Sequence, residues 1–315
     1  MRFRVSGTLP IRLVQLGTAL LVLTVIIGFA SLPRTPSRAA TAAPPAVASV
    51  TTTAAPPPAP PPPRLVMSWQ SAGGLIVHPD QLDPVVAAEE ARAGGLGWIA
   101  LQIADGETAL PSPANWVARF RAVSGIPVGG WSVLRDDPAA EANLAATLLG
   151  QDQLDFYIAD AEQEYAATNG VEHSLAHAHR SGEFIAAFRA LEPTMPAALA
   201  SFCRPDEHDL DWQAWATAGF AFLPEAYVDQ LGADGTPTAC TTAAEKWFPR
   251  SAIHPVLGIF AGPYPTPAPA EYAAQLAQAG TTGFSLFPFE NADSNALAAY
   301  AAAIEAGTIA RVPQP

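Results

Sequence analysis

The chain has 315 residues, half of them apolar, which is enough for one large domain or two small ones and too hydrophobic for a disordered chain. Residues 1–63 contain five Arg and no acidic residue, so the chain from Arg64 onward holds 11 basic and 29 acidic residues, a net charge of −18. This charge argues against a nucleic-acid partner, which requires a cationic surface, and indicates a soluble acidic face or a carboxylate-rich cleft. Two cysteines exclude a disulfide-rich scaffold and a four-thiolate zinc site.

Residues 1–32 predict a secretory signal peptide or a signal anchor. Arg2, Arg4 and Arg12 precede an apolar run over residues 13–32. This order is typical of an export signal, and the run is also long enough to span a bilayer as a helix with its amino terminus in the cytoplasm. Small residues at 37–43 offer cleavage sites. A cleaved signal and a retained anchor are both open.

Residues 33–63 predict a linker. The segment is nearly all Pro, Ala, Thr, Ser and Val, and it ends in a run of prolines. Such a composition cannot pack a core and stiffens as polyproline II. We interpret the segment as a spacer that holds a folded domain, residues 64–315, away from a membrane.

Residues 64–315 contain eight apolar, β-rich runs, each followed by a helical stretch. The runs begin near Val66, Trp98, Pro127, Phe156, Ala197, Phe220, His254 and Gly283. The intervals average 31 residues, which is the length of one βα unit. Eight such units predict a single (β/α)8 barrel of the TIM type. A doubly wound open sheet is the alternative, but it would need a glycine-rich phosphate loop after its first strand, and none is present.

The carboxyl ends of barrel strands carry the chemistry of such folds. The residues predicted there as substrate contacts are Trp69, Gln70, Gln102, Trp131, Glu225 and Glu290. Indole rings stack on sugar faces, although large aromatic side chains also plug barrels. The predicted seventh strand, from His254, offers no carboxylate at its end.

The fourth predicted strand carries two acids on one face. Side chains alternate along a strand, so Phe156 and Ile158 would fill the barrel, and Asp160 and Glu162 would project into its mouth. Two ionised carboxylates so close together repel, and one of them should hold a proton near neutral pH. A neutral carboxylic acid beside a carboxylate is the arrangement that cleaves glycosidic bonds. The alternative is that these acids only cap the following loop.

The segment Leu154–Glu162 resembles the Asp-x-x-Asp-x-Asp-x-Glu motif of family 18 chitinases, with Ile158 in place of the second acid. Val128-Gly129-Gly130-Trp131 is similar to their strand-three motif, and Tyr227 lies where they carry a strand-six tyrosine. The resemblance implies that Glu162 is the general acid, that Asp160 orients a substrate acetamido group and that Tyr227 assists it. Family 25 lysozymes are similar at strand four, but their strand-one acid is absent.

Other residue patterns are weaker. Cys203 and Cys240 both belong to the predicted mouth, and outside the cytoplasm they are expected to form a disulfide. His173, His177 and His179 lie in a predicted helix, where a solvated polar face explains them better than a metal site. We therefore predict no metal and no cofactor.

These observations predict an exported or membrane-anchored glycosidase. It would be a monomer and would act on a cell-wall or extracellular polysaccharide. The alternative is a barrel that binds a glycan or a protein without turnover.

Overall fold

The computed structural model describes residues 63–162, 165, 167–168, 175–281 and 283–305. Eight parallel strands form a closed barrel in this part of the chain. We number them β1 Gly73–Ile76, β2 Trp98–Asp105, β3 Val128–Val133, β4 Tyr157–Asp160, β5 Ala197–Ser201, β6 Ala221–Ala226, β7 Val256–Gly258 and β8 Ser285–Phe287. The barrel closes because β1 pairs in parallel with both β2 and β8. The predicted (β/α)8 barrel is confirmed.

Helices alternate with the strands and cover the outside of the barrel. They are α1 Pro84–Ala93, α2 Ala114–Ser124, α3 Pro138–Gln151, α4 Leu175–Leu191, α5 Trp212–Thr217, α6 Val228–Leu231, α7 Pro237–Ala244, α8 Pro269–Ala279 and α9 Ser294–Glu305. The residues predicted to begin α1 and α3 do cap these helices. The Asp83 side chain accepts hydrogen bonds from the first backbone N–H groups of α1, and Asp137 does the same for α3.

The core has two layers, one inside the barrel and one between the strands and the helices. Phe156 and Ile158 pack inside the barrel, whereas Ala159 and Ala161 pack in the outer layer. This alternation is the one predicted for the fourth strand. It directs Asp160, the next even-numbered residue, toward the mouth of the barrel.

The predicted position of the first strand is wrong. The sequence places it near Val66, but the structure places β1 at Gly73–Ile76. Glycine is disfavoured in strands, yet a Cβ on Gly73 would lie 2.2 Å from Cε2 of Trp98, so only glycine fits beside that indole. Trp69 therefore precedes β1.

Trp69 and Gln70 consequently lie at the amino-terminal end of the barrel, opposite the mouth. The Trp69 ring contacts those of Trp98 and Phe156 at centroid distances of 5.5 and 5.4 Å. Trp98 begins β2, and Phe156 directly precedes β4. Gln70 is exposed at the same end. The sequence placed Trp69 and Gln70 at the mouth because it placed the first strand too early in the chain, whereas the structure places both residues at the opposite end of the barrel.

His254 closes the same end of the barrel and makes stability depend on pH. It is 1% exposed, it hydrogen-bonds through Nδ1 to the Trp69 carbonyl, and burial lowers its pKa from 6.5 to about 4. The folded state therefore excludes the charged ring. We expect full stability above pH 6.5 and a loss approaching about 3 kcal/mol as pH falls toward 4.

Urea unfolding of the wild type and of His254→Gln between pH 7 and 4 measures this contribution. The variant is expected to be less stable at pH 7, because it lacks the fitted imidazole, and to lose less stability on acidification. Carboxylates titrate equally in both proteins, so the difference isolates His254. Parallel stability curves would contradict the prediction.

None of the helices in the described part of the chain is both long and apolar enough to cross a membrane. The predicted signal or anchor over residues 1–32 and nearly all of the linker over 33–63 lie outside the described residues. They stay predictions, as does the boundary of the barrel domain at 64–315.

Candidate active site

Three carboxyl groups meet at the carboxyl ends of β4 and β6. One oxygen from each of Asp160, Glu162 and Glu225 lies within 4.8 Å of the other two, and all three residues are partly exposed. β5 lies between β4 and β6, and its inward side chains are those of Ala198 and Ala200. Because these alanines are small, acids on the two flanking strands can reach one another across β5.

Glu225 faces two neighbours in the mouth. One of its carboxyl oxygens lies within 4.8 Å of a Glu162 oxygen, and the Tyr227 side chain interacts with the same carboxyl. Tyr227 is 8% exposed and packs against Phe260 and Phe287 at ring distances of 5.1 and 5.9 Å. The structure therefore brings the predicted catalytic residues together with Glu225, which sequence reasoning placed among the substrate contacts.

The residue of this cluster that most favours a proton is Glu225, which sequence reasoning placed among the substrate contacts. Burial raises the pKa of Glu225 well above its usual range, and repulsion from Glu162 and Asp160 raises it further. Burial also raises the pKa of the Tyr227 hydroxyl, with the same carboxylates adding to the effect. Glu225 therefore keeps its proton to a higher pH than an ordinary glutamate does. The signal was present in sequence, since Glu225 and Tyr227 are two residues apart at the end of β6, as Asp160 and Glu162 are at the end of β4.

Trp131 belongs to the barrel interior. It is 5% exposed, and its indole N–H donates a 3.0 Å hydrogen bond to the Ile76 carbonyl. It pairs in register with Ile158, one layer below Asp160, so its ring forms part of the floor of the mouth. The sequence predicted that the Trp131 ring can stack on a sugar at the mouth, but in the structure this ring is buried. Gln102, beside Trp131 in register on β2, is half-buried and shares the inward face of Trp98 and Ala100.

Glu290 has a structural task. Its Oε1 accepts hydrogen bonds from the backbone N–H groups of Val77 and His78, both at 3.1 Å, and so holds the turn that follows β1. This bonding gives Glu290 a structural role, and its predicted substrate contact stays a prediction. The first acid of the strand-four motif, Asp155, is likewise structural, because it pairs with Arg121 and accepts from the Val128 N–H at the amino-terminal end of β4.

β7 contributes no acid, as the sequence indicates, but a neighbouring acid fills the space beside it. A Cβ on Gly258 would lie 2.7 Å from Oδ1 of Asp229, which is fully buried. Burial raises the pKa of Asp229. Sequence reasoning gave this residue no role.

The structure joins Cys203 and Cys240 in a disulfide. Cys203 follows β5, Cys240 lies in α7, and the loop they close contains β6 with Glu225 and Tyr227. The disulfide therefore encloses the strand that supplies the third carboxyl. His173 and the side chains of His177 and His179 lie outside the described part of the chain.

Solved structures with the same fold include several glycoside hydrolases. A GH18 chitinase from Pseudoalteromonas aurantia matches with a TM-score of 0.56 and 10% identity over 74% of this chain and 99% of that one. Active domain 2 of a thermostable chitinase from Pyrococcus furiosus matches with a TM-score of 0.54 and 10% identity over 75% and 95%. The galactosidase domain of an α-galactosidase–sucrose kinase gives 0.51 and 13%, over 78% and 40%.

These likenesses confirm the predicted resemblance to glycoside hydrolase barrels at the level of the fold. No protein-family model matches the sequence. No curated protein matches it either. The chain is thus a (β/α)8 barrel of the kind that glycoside hydrolases share. The residues at the mouth of this barrel indicate what chemistry it can perform.

Proposed function

We propose that this protein is a glycoside hydrolase that cleaves a cell-wall or extracellular polysaccharide. The observation that carries the proposal is the cluster of Asp160, Glu162 and Glu225 at the carboxyl ends of the strands, the end at which (β/α)8 barrels perform chemistry. Glycosidic cleavage needs a carboxylic acid to protonate the leaving oxygen and a carboxylate to stabilise a cationic sugar. A cluster that holds a proton among neighbouring carboxylates supplies both.

We assign the roles by position and by the resemblance at strand four. Glu162 gives a proton to the glycosidic oxygen while the bond to the anomeric carbon breaks, and the electron pair of that bond stays on the oxygen. Asp160 faces the developing positive charge and orients a neighbouring acetamido group. Tyr227 supports the same group, and water then adds to the anomeric carbon and returns a proton to Glu162.

A substrate screen tests the proposal. Residues 64–315 are incubated with chitin oligosaccharides, peptidoglycan and α-linked glucans, and new reducing ends are measured. Release of reducing ends that Glu162→Gln abolishes would support the proposal. No release from any of these polymers would contradict hydrolysis of these classes and favour the second candidate.

The second candidate is a barrel that binds a glycan or a protein without turnover. The aromatic residues favour it, because Trp131 is buried and the half-buried Phe260 and Phe287 pack against Tyr227 in the mouth. Calorimetric binding of an oligosaccharide that is recovered uncleaved would identify such a module.

We also propose that the protein works outside the cytoplasm. Its amino-terminal apolar run and its disulfide support export, since disulfides persist in oxidising compartments. An anchored protein is expected to fractionate with membranes and to be released by protease cleavage within residues 33–63. A cleaved signal would instead leave a free protein that begins near Ala40 or Thr41. Full-length protein recovered from the soluble cytoplasm would contradict both forms.

A further inference from the structure

We infer that Tyr264 is a specificity-determining residue, whose ring stacks on a sugar unit of the polymer away from the bond that is cleaved. Because the cleaved bond belongs to the proposed glycoside hydrolase reaction, this role rests on that function. The contact between the ring and a sugar can also be measured without cleavage.

Tyr264 lies at the rim of the mouth, near the acid cluster. Its loop, residues 259–268, follows the carboxyl end of β7, and its backbone N–H donates a 3.0 Å hydrogen bond to the Asp229 carbonyl. Asp229 is two residues after Tyr227, so at most about 7 Å of backbone separates them. A Cβ on Gly258 would meet both, at 2.7 Å from Oδ1 of Asp229 and 3.1 Å from Cδ1 of Tyr227. One extended glycan can therefore reach the cluster and Tyr264 together.

The loop that carries Tyr264 is stiff and is attached to the end of β6. A proline precedes Tyr264 and another follows it, and each proline fixes one backbone dihedral angle. Gly262 approaches Asp229 so closely that a Cβ would lie 2.1 Å from the Asp229 carbonyl oxygen. The Thr266 hydroxyl donates a 3.2 Å hydrogen bond to the Phe260 carbonyl. A ring on such a backbone loses little conformational freedom when it binds a ligand.

One face of the Tyr264 ring is covered and the other is open. A Cβ on Gly232 would lie 3.3, 3.3 and 3.4 Å from Cε1, Cζ and Cε2 of the ring. Such nearly equal distances place Gly232 over the face of the ring rather than at its edge. Gly232 has a φ of +61°, which favours glycine, so it supports the ring without a side chain of its own. Tyr264 is nevertheless 50% exposed, and the face opposite Gly232 therefore meets the solvent.

The open face is suited to a sugar ring. The exposed large apolar side chains in the connections after β6 and β7 are those of Leu231 and Tyr264. Two side chains are too few for a stable protein interface, which buries about 800 Å² on each partner. The C–H groups on one face of a sugar, by contrast, cover an area comparable to that of one aromatic ring and pack against it. A glycan that extends from the acid cluster is therefore the occupant that this face fits.

Stacking at Tyr264 affects binding rather than the chemical step. A sugar unit at the rim stays in place while the bond at the cluster breaks, so its contact stabilises the bound substrate and the transition state equally. Such uniform binding lowers KM and leaves kcat unchanged.

Steady-state kinetics test this role. The probes are the hexasaccharides of chitin and of α-linked glucose and soluble strands of peptidoglycan. On the probe that the wild type cleaves, Tyr264→Ala is expected to raise KM about 2- to 10-fold with kcat unchanged, whereas Tyr264→Phe keeps the ring and should match the wild type. Val86→Ala is the matched control, because Val86 is 46% exposed on α1, and it should change neither constant. An unchanged KM in Tyr264→Ala, or a lowered kcat, would overturn the inference and leave the proposed function intact.

An NMR experiment on Glu162→Gln separates the sugar contact from catalysis. Tyrosine rings are labelled with ¹³C, and the resonance that disappears when Tyr264→Phe is added identifies Tyr264. A bound probe is expected to shift this resonance and to give NOEs between the Tyr264 ring and sugar C–H protons. A probe that binds without these NOEs would overturn the inference. If the wild type cleaves no probe but one gives the NOEs, hydrolysis fails while the contact stands, and if no probe binds, both fail.

Discussion

Glu162→Gln is expected to lower kcat at least about 100-fold, and up to about 10⁴-fold, while the protein stays folded. The amide has nearly the size of the acid but carries no transferable proton. Glu162 is partly exposed at the mouth, so the substitution opens no cavity in the core. Initial rates of reducing-end release, with circular dichroism as the check on folding, measure the effect.

Glu290→Gln is the control for a glutamate at the same end of the barrel. Its Oε1 binds the backbone after β1, and an amide oxygen can accept the same hydrogen bonds from Val77 and His78. This variant should therefore keep most of its activity. Full activity in Glu162→Gln on a substrate that the wild type cleaves would eliminate Glu162 as the acid.

The barrel could be predicted because its evidence is local and repeated. Helix caps such as Asp83-Pro84 and Asp137-Pro138 are read directly from neighbouring residues. Because the unit repeats eight times, the misplacement of one strand does not change the predicted fold. That error fell on β1, where Gly73 and Gly74 look like a loop. They form a strand because Trp98 on the next strand fills the space that a side chain would need, and a long-range contact of this kind leaves no local signal.

The candidate site was predictable to the extent that it depends on alternation along one strand. Asp160 and Glu162 follow from the period of β4, whereas the depth of Trp131 depends on the register between β3 and β4. The link between Glu162 and Glu225 depends on the small side chains of β5, which lies between their strands. Register and reach across a strand are properties of the assembled sheet, so the sequence could name these residues but not their roles.

The double substitution Cys203→Ser with Cys240→Ser is expected to lower the free energy of unfolding by about 2–4 kcal/mol. The disulfide joins residues 37 positions apart, and a loop of this length restricts the unfolded chain considerably. Both cysteines are buried, so serine also places unfavourable hydroxyl groups in the core. Urea unfolding monitored by tryptophan fluorescence gives the difference, and mass spectrometry of the wild type should find no free thiol.

A reductant separates the effect of the bond from the effect of the serines. Reduced wild type should approach the stability of the variant, whereas the variant itself should not respond to the reductant. Activity measured well below the unfolding transition should survive in the variant, because Glu225 and Tyr227 are held by β6 and its neighbours β5 and β7 rather than by the bond. A variant as stable as the oxidised wild type would show that the bond does not stabilise the fold. Lost activity in a still-folded variant would instead assign the disulfide to the placement of β6 in the mouth.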